Sequence, residues 1–261
     1  MNSLSANVHE PSQRLQPTRR TALAILLVIG LLLPTAITWI YFVALEQSTA
    51  TAQQLAFGIG KSVQFLLPLL AWVVVMRSQV DAHSAIAPVR RIRWSLIAGI
   101  GSGTIIASAI LGTYFLFLLP NGWMDAPRVA ARAKIASLGL DSKALLLAAA
   151  IFYSIIHSGL EEYYWRWFVF GRLTTFFPVG LAVIISSLGF MAHHVIVLAR
   201  YFGWGSPMTF AFALGVAVGG VVWAELYRRS GTLLGSWLSH ALVDAAIFII
   251  AFHLTFADVS G

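Results

Sequence analysis

The stretch KALLLAAAIFYSIIHSGLEEYYWRWF, residues 143–168, decides the fold. Its first 18 residues carry one charge, Lys143, at their start, and at 1.5 Å per helical residue they reach about 27 Å, close to the thickness of a hydrocarbon core. Runs of this kind recur along the chain, at roughly 21–45, 52–76, 94–119, 143–168, 178–201, 207–227 and 231–256. Hydrophobic residues make up 59% of the chain and charged ones 10%, so the spans leave no stretch able to fold as a separate soluble domain. The reading is all-α: a polytopic transmembrane helical bundle with seven or eight membrane segments, the eighth short or re-entrant. Residues 21–261 then form a single membrane domain behind a disordered cytoplasmic tail, 1–20, that contains Pro11 and Pro17.

Lys and Arg number 17 against 10 Asp and Glu. In a membrane protein this excess belongs to loops rather than to nucleic-acid binding. Arg14, Arg19 and Arg20 precede the first span; Arg77, Arg90, Arg91 and Arg93 follow the second; Arg172 follows the fourth; Arg228 and Arg229 follow the sixth. That distribution predicts a multi-pass protein of the cell membrane with a cytoplasmic N-terminus. The opposite side holds Arg128, Arg132, Lys134, Lys143 and Arg200, offset in part by Asp125 and Asp141. With no cysteine in the chain, a disulfide framework and thiolate catalysis are excluded.

Segment 120–142 opens on Pro120-Asn121-Gly122 and sets Val129, Ile135 and Leu138 among basic residues, which predicts a short interfacial helix. Gly99 with Gly103, and Gly215 with Gly219, have the spacing that lets helix backbones approach. Trp39, Trp72, Trp94 and Trp123 suit interfacial anchoring or helix contacts.

An ionised side chain near the bilayer centre costs about 2.5–3.5 kcal/mol on insertion scales, so charges inside spans need partners or a task. Glu162 and Arg166 lie one helical turn apart with the acid first, the better order for an ion pair. Glu161 points about 100° away and has no cation nearby in sequence, which leaves it free to exchange a proton. His157, one turn before Glu161, is placed to support it with a hydrogen bond. Glu225 is expected to reach the interface beside Arg228 and Arg229. Two further spans carry one-turn pairs: Phe190 with His194, the neighbouring His193 turned away, and His240 with Asp244, where the carboxylate can orient the imidazole.

Taken in order, Glu161-Glu162-x-x-x-Arg166, Phe190-x-x-x-His194 and His240-x-x-x-Asp244 resemble the signature of the CAAX protease and bacteriocin-processing (CPBP, Abi) family of intramembrane endopeptidases. The likeness covers about residues 143–250. It implies a membrane-embedded peptidase acting on a membrane-associated protein or peptide, with Glu161, Glu162, His194, His240 and Asp244 as active-site residues and Arg166 and Phe190 in support. Asp244 stands where many relatives carry Asn, which adds a negative charge. In the mechanism this implies, Glu161 takes a proton from a water that attacks the peptide carbonyl. Whether Glu161, His194 and His240 also hold a divalent metal such as zinc, or the glutamate works without metal, stays open, since the family is described in both terms.

Two other classes compete with the peptidase. A catalytically inactive immunity or scaffold protein would keep the fold, and a proton-coupled transporter would use the same carboxylates and histidines as a relay. Transport calls for a continuous polar route or repeated halves, and the chain has no evident internal repeat. Serine and aspartyl peptidase readings lack the Gly-x-Ser-Gly and Gly-x-Gly-Asp motifs. Depth raises one conflict: Glu161 lies about 27 Å in from Lys143 and His240 about 12 Å in from Thr232, which agree, whereas His194 lies about 24 Å beyond Pro178 and would approach the opposite leaflet.

Overall fold

A computed structural model describes residues 16–76 and 88–257 of the chain. Among the described residues, seven helices are long and apolar enough to cross a membrane: α1 (Pro17–Ala44), α2 (Ala50–Val75), α3 (Val89–Leu118), α5 (Lys143–Leu173), α6 (Val179–Phe202), α7 (Pro207–Ser230) and α8 (Leu234–Phe256). The short helix α4 (Asp125–Ser137) joins α3 to α5. The protein is therefore an all-α, multi-pass bundle. Residues 1–15 of the expected tail, with Arg14, and the loop position Arg77 lie outside the described residues.

Helix starts follow from their caps. Thr49, Ser142 and Ser206 accept hydrogen bonds from the backbone N–H groups of Ala52, Leu145 and Met208, satisfying donors that the first turn leaves unpaired. Pro17 begins α1 four residues earlier than expected, because proline is preset for the first helical turn. Residues 17–20 are thus helix and not tail. Arg90, Arg91 and Arg93 likewise sit in the opening turns of α3, and Arg172 in the last turn of α5. These helices run past their apolar stretches, so the boundary cations are helical instead of lying in loops. Gly231, at φ +70°, ends α7 in the left-handed conformation that only glycine adopts at no steric cost.

The α3–α8 contact is the most extensive in the bundle. A Cβ on Gly99 would sit 2.4 Å from the Gly235 carbonyl oxygen, and one on Gly103 would sit 2.8 Å from Ser239 Cα. Backbone meets backbone along this seam, as the Gly99/Gly103 spacing predicts, and Ser95 Oγ accepts the Gly235 N–H at 3.0 Å. The other glycine pair behaves differently: Gly215 faces open space, and the close approach falls on Gly220, whose Cβ would meet Ser187 of α6 at 3.1 Å. The neighbouring glycine, about 100° further round α7, is the one turned to α6.

α4 is the short helix expected within 120–142, with its inward face differently composed. Val129 is 69% exposed and Leu138 is also outward, while Met124 and Pro127 are buried and Ala131 packs on the same cluster. Arg132 donates from Nε to the Leu254 carbonyl at 2.8 Å, and Nη2 to that of Ala257 at 3.2 Å. α4 therefore caps the C-terminus of α8, where carbonyls lack helical partners. The main core joins Leu23 and Leu27 of α1, Trp165 and Phe168 of α5, Phe190 of α6, Trp223 of α7 and Val243 of α8. Tyr164 ties α5 to α1 by donating to the Gly30 carbonyl at 2.7 Å.

Candidate active site

Four helices bring their polar groups together against the aromatic part of that core. On α5, Glu162 is fully buried and Glu161 is 4% exposed. Arg166 Nε stands 3.2 Å from Glu162 Oε2, the one-turn pair expected from sequence. It is a charge contact without hydrogen-bond alignment, since neither Arg166 Nε nor Glu162 Oε2 has a hydrogen-bond partner. The guanidinium lies 5.0 Å from the centre of the Phe190 ring and 5.2 Å from that of Trp223, so α6 and α7 hold it in place.

Glu162's other oxygen, Oε1, accepts a hydrogen bond from His240 Nδ1 at 2.9 Å. His240 also stacks on Trp223, with ring centroids 4.0 Å apart and planes 14° apart. The sequence assigns the orienting of His240 to Asp244, but Glu162 fills that place. Asp244 Oδ1 lies 3.6 Å from the opposite nitrogen, Nε2, because a one-turn spacing from His240 carries its carboxylate to that side of the ring. Glu161 Oε2 is 3.9 Å from the same Nε2. His240 Nε2 thus faces two carboxylates, while Nδ1 is committed to a third.

Glu161's remaining oxygen, Oε1, is not left alone. His157 Nε2 stands 3.2 Å away, as its one-turn spacing suggests, and His193 Nε2 stands 3.9 Å away. Lys61 Nζ, from α2, lies at 3.6 Å. Sequence reasoning missed Lys61. The signal was available, because it is the single charged residue among positions 50–75. His193, set aside in the sequence as turned away, is buried and stacked on Trp165 with planes 5° apart, and neither ring nitrogen has a hydrogen-bond partner.

His194 donates from Nδ1 to the Phe190 carbonyl at 2.9 Å, leaving Nε2 with its lone pair. Its ring centroid is 4.2 Å from that of His193 and 4.7 Å from that of Phe190, and Phe190 in turn stands edge-on to His240. The depth conflict therefore dissolves. α5 runs five residues past its expected end at 168, to Leu173. Glu161 and His194 are then about 18 and 23 Å from the ends of their helices on the same side of the bundle.

Among the described residues, no group of three or more His, Asp and Glu side chains is arranged to hold a metal ion. Zinc needs its donors within about 2.0–2.2 Å of one point. Here Glu161 Oε1 is beside an ammonium group, and Glu161 Oε2 and His240 Nε2, the atoms not otherwise bonded, stand 3.9 Å apart. As they stand, Glu161, His194 and His240 form no three-donor group of that kind. What the cluster offers is a buried carboxylate with one oxygen held among nitrogens, an unbonded imidazole nitrogen on His194, and an imidazole on His240 fixed through a Glu–Arg pair.

No curated protein and no solved structure matches the chain. Residues 143–246, which hold every one of these side chains except Lys61, match the family described as type II CAAX prenyl endopeptidase Rce1-like, in line with the CAAX protease family that the motifs resemble.

Proposed function

We propose that the protein is an intramembrane endopeptidase that hydrolyses peptide bonds of a membrane-associated protein or peptide with a water activated by Glu161, without metal. The observation that carries this reading is the division of Glu161: Oε1 is surrounded by Lys61, His157 and His193, and Oε2 is turned toward His240. A carboxylate fixed by one oxygen presents the other in a set direction, as a general base requires. The CAAX-type family match supports the substrate class.

Glu161 Oε2 takes one proton of the water while His194 Nε2 accepts a hydrogen bond from the other. The water oxygen bonds to the carbonyl carbon and the carbonyl becomes an oxyanion. His240, protonated on both nitrogens among three carboxylates, donates Nε2–H to that oxyanion. On collapse the C–N bond breaks, and the proton held by Glu161 passes to the leaving amine. Glu162 and Arg166 act through His240, holding its ring by Nδ1.

The test is cleavage of a diverse peptide library by the detergent-purified protein, read by mass spectrometry. Glu161→Gln, which keeps the shape and removes the base, is expected to lower turnover at least about 100-fold, the lower range for a lost general base, and a chelator is expected to leave wild-type cleavage unchanged. Full activity in Glu161→Gln would overturn Glu161 as the base, no cleavage by folded wild type would overturn the peptidase reading, and loss of activity to the chelator would overturn the metal-free mechanism.

A further inference from the structure

The two carboxylates facing His240 Nε2, those of Glu161 and Asp244, stand at 3.9 and 3.6 Å from one atom, deep in a bundle where charge repulsion is poorly screened. Glu162 adds a third acid on the other side of the ring, but Arg166 neutralises it. The groups around Glu161 are Lys61 from α2, His157 and Arg166 from α5, His193 and His194 from α6, and His240 and Asp244 from α8, with Glu162 next to it in the chain and turned to Arg166 and His240. The histidines aside, this leaves three acids and two cations, and the second cation is Lys61.

Lys61 is built into its place. Its Nζ lies 5.6 Å from the centre of the Phe57 ring and 5.5 Å from that of Phe65, one turn to either side on the same helix. Two aromatic faces hold the ammonium while it reaches Glu161 Oε1. A lysine inside a span is costly to insert, so one that is mostly covered and aimed at a carboxylate on another helix marks a role.

We propose that Lys61 is a positioning residue for Glu161: its ammonium holds Oε1 so that Oε2 faces His240, and its charge offsets the carboxylate of Asp244 across the site. This rests on the peptidase reading, because the oxygen it sets free is the one that takes the proton. It also ties two features into one arrangement. The acid at 244 is tolerated because α2 supplies a cation from outside the family-matching segment.

The experiment uses full-length protein in detergent and the best-cleaved peptide from the library. Lys61→Met should lower kcat by about 10- to 100-fold, the scale of a misplaced catalytic group, and leave KM within about twofold. Lys61→Arg, which keeps the charge, should recover most of the rate. Asp244→Asn in the Lys61→Met background should raise kcat above that of Lys61→Met alone, because removing the acid removes what the lysine offsets. Thermal unfolding of the same set, with Glu161→Gln added, reads the charge coupling without activity: Glu161→Gln and Asp244→Asn should each cost less stability, or gain some, when Lys61 is Met. Wild-type kcat in Lys61→Met, or strictly additive effects of Lys61→Met with both acid substitutions, would overturn the proposal. If no peptide is cleaved by wild type, the peptidase reading falls and the unfolding couplings still decide whether Lys61 offsets Glu161 and Asp244.

Discussion

Arg166 shows how much one residue of this site does. It is fully buried, pairs with Glu162, and is held by the Phe190 and Trp223 rings from two other helices. Removing it leaves Glu162 as a buried charge balanced only by His240. Arg166→Met should therefore destabilise the protein by about 3–5 kcal/mol, and Glu162→Gln added to it should recover a good part of that loss. Denaturant unfolding in detergent measures both, and a smaller loss in the single variant than in the double would contradict the assignment. This pair was legible in the sequence because its partners are four residues apart on one helix. Lys61 was not, since its partner lies on another helix and no local spacing connects them. His193 was misread for a related reason: a helical wheel gives its direction but not which neighbour stands there.

At the scale of elements, the spans could be read from apolar runs and the short α4 from apolar residues set among basic ones, while the contacts between them could be read only where the chemistry left one solution. The Gly99–Gly103 seam is such a place, because no side chain fits between α3 and α8. Gly215 and Gly219 have the same spacing, yet the approach to α6 falls on Gly220, since spacing does not reveal which face of α7 has a neighbour. Gly99→Ala would push a methyl group into the Gly235 backbone, which cannot rotate aside, and should cost about 1–3 kcal/mol. Gly101→Ala, two residues along the same helix and facing open space, should be neutral or gain about 0.5–1 kcal/mol. Thermal unfolding of the two variants side by side measures the contrast, and equal effects would mean that the seam does not set the α3–α8 distance.

For the whole molecule, the site assembles from α2, α5, α6 and α8, and its two ion pairs are made in different ways. Glu162 and Arg166 belong to one helix and can enter the bilayer together as a neutral unit. Lys61 precedes its partner Glu161 by 100 positions in the chain, so during synthesis α2 meets the membrane long before α5 has been made. Until then its ammonium has only Phe57 and Phe65 for company, at an insertion cost of about 2.5–3.5 kcal/mol. The arrangement of the candidate site therefore bears on the order of biogenesis: α2 is the span least committed to the bilayer early on, and the arrival of α5 secures it. In a glycosylation-reporter assay of membrane integration, chains cut before residue 143 should integrate α2 less completely than the full chain, and Lys61→Met should remove the difference.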